Sequence, residues 1–173
     1  MSDHGPTVAE CTGGETCENA DCIQSLCTNM QEIAGCFSYL ATDDLATIAR
    51  YFATRHMEAG QILWEEGDPC SSVAFVVHGH LEIKKETEFP GKQVIVGIYG
   101  RGAVVGELCV LDDSPTAVSA VAMDDVDLLI LSRQDFQRLL VEDTALGLKL
   151  LKGMLFAVST RLKKSLGRLA AIF

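Results

Sequence analysis

The chain has 173 residues, with 24 Asp and Glu against 14 Lys and Arg and a net charge of −10; it is long enough for one domain with a core, plus tails. Such an acidic surface argues against direct nucleic-acid binding. Hydrophobic residues make up 48% of the chain, yet no apolar run reaches the roughly 18 residues of a membrane span. Met1-Ser2-Asp3-His4-Gly5-Pro6 lacks the basic and apolar regions of a secretory signal, so a cytoplasmic protein without membrane attachment is expected.

The first segment, residues 1–30, is rich in Gly, Thr, Glu, Asn and Asp. It holds too little apolar surface to offset its ordering entropy, which predicts a disordered, Cys-rich tail. Within it Cys11, Cys17, Cys22 and Cys27 recur at gaps of six, five and five, with no CxxC pair. Three readings stand open. The thiols are free on a mobile tail; or the four close a zinc or iron–sulfur site; or they form redox disulfides.

From residue 31 the pattern becomes globular. Gln31–Leu40 and Asp43–Ala53 read as two short helices. Thr42 is placed as N-cap, Asp43 and Asp44 lie in the first turn, and Leu45, Ile48 and Phe52 form a buried stripe. After Gly60 the period changes to two. Strands are predicted at 62–64, 73–77, 81–84, 94–99, 116–122 and 126–131, punctuated by Gly67-Asp68-Pro69, Gly79, Pro90-Gly91 and Gly100-Arg101-Gly102. The chain is helical again from Ser132. Short strands separated by glycine turns imply a β-sandwich or roll.

The stretch Gly106-Glu107-Leu108-Cys109-Val110-Leu111, an acidic turn, then Ser114-Pro115-Thr116-Ala117-Val118-Ser119 resembles the phosphate-binding cassette of the cyclic-nucleotide-binding family. Three further stretches resemble that family in order and spacing. They are Gly60-Gln61-Ile62-Leu63-Trp64-Glu65-Glu66-Gly67-Asp68, Phe75-Val76-Val77-His78-Gly79 and Asp127-Leu128-Leu129-Ile130-Leu131-Ser132. The resemblance implies a mainly β fold with flanking helices: an eight-stranded jelly roll with helix B over residues 31–142, preceded by N-terminal helices. It also implies that a short helix from Gly106 presents N–H groups to a cyclic phosphate, while Glu107 holds the ribose hydroxyl. Gly106, Glu107, Leu108, Cys109, Thr116, Ala117 and Ser119 are the implied ligand-binding residues. The family's arginine position reads Thr116 here. A charge-assisted contact is worth about 1.5–3 kcal/mol, so its loss points to weak cyclic-nucleotide binding or to another small anion. The next alanine position reads Val118, which crowds the phosphate. Arg101 is a candidate replacement cation, although a solvated turn arginine is the simpler reading. Cys109 reads as a packed thiol, and His78 and His80 as exposed turn residues.

Residues 143–173 read as a long terminal helix. Leu151, Leu155, Val158, Leu162, Ser165, Leu169 and Ile172 alternate at gaps of four and three, the seam of a two-helix coiled coil. The family's equivalent helix builds a homodimer and closes over the base, so Thr160 and Ser165 are candidate base contacts. Lys149, Lys152, Arg161, Lys163, Lys164 and Arg168 read as a solvated face. The chain offers neither a nucleophile–base pair nor a carboxylate dyad in a supporting context, so an enzyme is not expected. The expectation is a stand-alone, dimeric regulatory domain that relays ligand occupancy to a separate effector protein. Two alternatives stand: an interaction module with a vestigial pocket, and a metal or redox sensor run by the N-terminal cysteines.

Overall fold

The computed structural model describes residues 20–31, 35–89, 91–112 and 114–170. Their order is α1 (Ala20–Gln31), α2 (Thr42–Ala49), β1 (Ala53–Met57), β2 (Ile62–Trp64), β3 (Ser72–His78), β4 (Leu81–Glu86), β5 (Gln93–Tyr99) and β6 (Val104–Val105). A 3₁₀ turn (Glu107–Val110), β7 (Ser119–Ala122), β8 (Val126–Ser132), α3 (Arg133–Glu142) and α4 (Thr144–Ala170) follow. The strands form two four-stranded antiparallel sheets, β1-β8-β3-β6 and β2-β7-β4-β5. This is the eight-stranded roll with flanking helices that the sequence implies.

Strand β3 explains the layering. Successive side chains point to opposite faces, and both faces of β3 are covered. Val73, Phe75 and Val77 join Leu129 and Leu131 in a cluster with the helices, whereas Ala74 and Val76 join Val126 and Leu128 between the sheets. Phe75 lies edge-on to Phe37 and Phe52, with ring centroids 5.5 and 5.4 Å apart. Hence β3 reads as an unbroken apolar run.

The N-terminal region departs from expectation in four places. The tail predicted to be disordered through residue 30 is helical from Ala20 to Gln31. Ile23, Cys27 and Met30, at i, i+4 and i+7, are all buried in the helical cluster, and tertiary burial overrides the poor local composition. Residues 35–39, predicted as a helix, form turns instead. The helix predicted over Asp43–Ala53 stops at Ala49, and Ala53 opens β1 by pairing with Ile130 of β8. The residue before α2 is Ala41, not Thr42; its N–H donates to the Asp44 carboxylate at 2.7 Å. Burial pushes the Asp44 carboxyl up, but the Lys149 ammonium and the Ala41 N–H hold it below the usual range overall. This Asp44–Lys149 pair, 2.7 Å apart, ties α2 to α4.

Helix α3 starts at Ser132, whose hydroxyl accepts from the Asp135 N–H at 3.0 Å. Helix α4 then runs back across the roll. Gly153 lies against the Cys36 backbone, and a Cβ there would overlap the Cys36 carbonyl, whereas nothing lies within 4 Å of a Cβ at Gly167. Gly153→Ala is therefore expected to destabilise the fold by about 1–3 kcal/mol or more through forced displacement of backbone. Gly167→Ala should stabilise it by about 0.5–1 kcal/mol through helix propensity. Thermal denaturation of the two variants checks the opposite signs.

Candidate ligand-binding site

The site is built on the chain that leaves β6. Gly106 takes φ 74°, which favours glycine, and a Cβ on it would lie 2.9 Å from the Trp64 ring and 3.0 Å from the Ser72 carbonyl. The 3₁₀ turn that follows is anchored twice. A disulfide joins Cys109 to Cys70, just before β3, with a Cα–Cα distance of 4.9 Å. The packed thiol expected at Cys109 is therefore incorrect: the two backbones approach closely enough to bridge. Below it Arg133, the first residue of α3, donates to the carbonyls of Cys109 at 2.6 Å and Cys70 at 2.8 Å, and also to that of Asp112. The turn thus has a fixed seat on β3 and α3.

The segment 116–119 is bound to the 65–68 turn. Thr116 is buried; its hydroxyl donates to the Glu65 carbonyl and accepts from the Asp68 N–H at 3.1 Å. The Ser119 hydroxyl accepts from the Glu66 N–H at 2.9 Å. Both hydroxyls secure the 65–68 turn, while Ala117 is exposed and Val118 packs against the inter-sheet cluster. Lys85 donates to the Ala117 carbonyl at 2.9 Å and pairs with Glu66. Along with the Glu86 N–H, it holds the Glu66 carboxyl below its ordinary range. Leu108 is exposed.

Glu107 does have a basic partner, and it comes from α4. Arg161 donates to Glu107 Oε1 at 2.7 Å and to the Val104 carbonyl at 2.8 Å, and its guanidinium lies over the Tyr99 ring at 4.7 Å. Both side chains of the ion pair are about three-quarters buried (24% and 26% exposed). Charge-assisted hydrogen bonds of this kind contribute about 1.5–3 kcal/mol. Arg161, read from sequence as part of a solvated face, is the cation of the site. The candidate replacement, Arg101, instead donates to the Asn29 carbonyl at 3.3 Å from an exposed position. Of the candidate base contacts, Thr160 lines a cleft beside Arg161, and Ser165 accepts from Arg168 at 3.4 Å.

The N-terminal cysteines divide. Cys11 and Cys17 lie outside the described residues, and Cys22 is disulfide-bonded. Cys27 is a free thiol at the centre of the helical cluster, and burial pushes it up to about 12. Cys36 is likewise pushed up to about 12 by burial, against a smaller lowering by Arg161. Among the described residues no group of three His, Cys, Asp or Glu side chains is placed to hold a metal, and no helix is long and apolar enough to cross a membrane.

A β-roll with a glycine-led 3₁₀ turn carrying a carboxylate against a terminal helix defines a class, and the comparisons agree with it. Residues 54–143, more than half of the chain, match the family described as cyclic nucleotide-binding domain. The chain belongs to that family. Over 88 residues it is 43% identical to a cAMP-dependent protein kinase regulatory subunit of Aspergillus fumigatus, covering 49% of this chain and 20% of that one. Over 104 residues it is 29% identical to the cyclic AMP receptor protein of Thermus thermophilus, covering 60% and 48% respectively. The chain thus spans less than half the length of either relative. In structure it resembles a cyclic nucleotide-binding domain from Methylobacillus flagellatus (TM-score 0.80, 20% identity, 98% and 97% covered). It also resembles the regulatory subunit of a cAMP-independent protein kinase A from Trypanosoma cruzi bound to guanosine (TM-score 0.63, 18% identity, 78% and 47% covered).

The Cys70–Cys109 bridge closes a loop of 39 residues, for which a stabilisation of about 2–4 kcal/mol is typical. Cys70→Ser with Cys109→Ser is expected to lower the denaturation midpoint accordingly. Reductant should lower the wild-type midpoint by a similar amount and leave the double variant less affected.

Proposed function

We propose that this chain is a non-catalytic regulatory sensor domain in which nucleotide occupancy of the 106–119 segment is relayed through α3 and α4 to a separate protein. The observation that carries this reading is the Arg161–Glu107 bond, which fastens the long helix to the carboxylate implied to hold a ribose hydroxyl. A carboxylate has about four acceptor sites, and Oε2 of Glu107 accepts from no described residue. A ribose hydroxyl therefore has an acceptor beside the one Arg161 uses. Either sharing or displacing Arg161 changes how firmly α4 is held, and only such a differential interaction shifts a conformational equilibrium. The family relatives named as regulatory subunits and as a cyclic AMP receptor protein support a nucleotide as the signal. The guanosine-bound neighbour supports a ligand that makes little demand on an arginine at position 116.

Differential scanning with cyclic AMP and cyclic GMP tests the reading. At 100 times its Kd a ligand adds about 2.7 kcal/mol, a rise of about 5–10 °C for a chain of this size. Glu107→Gln is expected to weaken binding about tenfold or more. No shift with either nucleotide supports the second reading, an interaction module whose pocket takes no ligand. The inward-turned hydroxyls of Thr116 and Ser119 favour that alternative.

The same helix supports a homodimer. Of the coiled-coil seam, Leu151 and Val158 pack against the chain's own core, while Leu155, Leu162 and Leu169 are more than half exposed. Adding Leu148, four of the five exposed leucines on α4 recur every seven residues, Leu166 being the fifth, and a seven-residue repeat suits a paired-helix seam. Light scattering is expected to give a dimer mass for the wild type. Leu155→Glu with Leu162→Glu should give a monomer with an unchanged fold; a wild-type monomer would refute the seam.

A further inference from the structure

A cleft of about 790 Å³ opens between the Gly100–Gly102 turn and the C-terminal half of α4, within the usual range for small-molecule sites. Its charged lining is of one sign. Arg101, Arg161, Lys164 and Arg168 line it, with no carboxylate among the described lining residues. Four of the chain's 14 basic residues converge there, although acidic residues number 24. Arg161, Lys164 and Arg168 follow at i, i+3 and i+7 and so share one helix face, where like charges destabilise one another.

Their neutralisation is incomplete. Arg161 has Glu107. Arg101 has only the Asn29 carbonyl, Arg168 only the Ser165 hydroxyl, and Lys164 makes no ion pair or hydrogen bond among the described residues. An acidic chain that leaves these cations facing one another across a cleft has a site in want of an anion. The walls suit a nucleotide: Tyr99 and Phe156 are aromatic lining residues, and Thr160 adds a hydroxyl.

We infer that this cleft binds a nucleotide carrying two or more phosphate charges, one phosphate lying between Arg101, Lys164 and Arg168. The inference rests on the proposed sensor reading, because the ligand reaches the cleft from the Glu107 turn, with Arg161 touching both. A cyclic mononucleotide brings a single charge and leaves the three outer cations unmatched. Cyclic dinucleotides and linear nucleoside polyphosphates share the required chemistry.

Isothermal titration of the full chain with cyclic AMP, cyclic GMP, cyclic di-GMP, guanosine tetraphosphate and inorganic triphosphate tests the inference. At least one of the multiply charged nucleotides is expected to bind about tenfold or more tightly than the mononucleotides, with the stronger salt dependence of a more highly charged ligand. Which of the two arms binds identifies the source. Lys164→Gln with Arg168→Gln, both exposed positions, should remove that advantage and leave mononucleotide affinity unchanged. Equal affinity for all nucleotides, an unaffected double variant, or triphosphate binding as tightly as the nucleotides would overturn the cleft ligand while leaving the cassette reading intact. Glu107→Gln discriminates the other way: if it weakens no nucleotide, the sensor reading fails. Absence of binding by every probe overturns both.

Discussion

The half-buried carboxylate of Glu107 is the constraint around which the rest of the molecule is arranged. A charge partly removed from water needs a partner of opposite sign or a set of donors. Here the partner sits on another element, more than fifty residues further along the chain. Meeting that need sets the path of α4, because Arg161 reaches Glu107, the Val104 carbonyl and the face of Tyr99 from a single position on the helix. The turn that carries Glu107 is itself immobilised by the Cys70–Cys109 bridge and by the Arg133 guanidinium. A continuous line of covalent and charge-assisted links therefore runs from the start of β3, through the turn, to the middle of the terminal helix.

The attachments of α4 are unevenly distributed. Lys149 holds it to α2 through Asp44, Gly153 seats it against Cys36, and Arg161 latches it to the roll. Beyond Arg161 most side chains of the helix are exposed. The part before the latch, with Leu146, Leu150 and Met154 buried, joins the domain core, and the part after it is mostly exposed. Helix α3 shares in this through Arg133, which couples the same turn to the helix hairpin. On the proposed sensor reading, a ligand that alters the hold on Glu107 acts directly on this latch.

Much of the roll was legible in the sequence, since strands such as 73–77 and 94–99 are short apolar runs set between glycine or proline turns, and the terminal helix carries a clear period. The failures have physical causes. Helix α1 owes its existence to burial of Ile23, Cys27 and Met30 rather than to composition, and β1, Ala-Thr-Arg-His-Met, is a strand because β8 pairs with it. In the site, Gly106 and Glu107 were readable through the resemblance to the cassette, and the positive φ at Gly106 accounts for the glycine. Arg161 was not: a helix cation looks the same in sequence whether it faces solvent or folds over a ring. Nor does spacing reveal that Cys70 and Cys109 lie opposite each other, since their proximity is created by the crossover of β3 and the turn.

The substitution that most separates this chain from the family pattern, Thr116 in place of arginine, takes on a different meaning once Arg161 is placed. A cation on the strand would hold an anion without reference to the helix, and occupancy could then leave α4 indifferent. Thr116 has turned inward to staple the 65–68 turn, and the positive charge beside Glu107 is carried by the helix instead. An anion that requires that charge must bind the helix as well as the roll. Its affinity then depends on the helix position and, reciprocally, the helix position depends on its presence. On the proposed sensor reading, loss of the strand arginine would weaken a cyclic-phosphate site taken in isolation, while a cation supplied by α4 would tie the bound ligand to that helix.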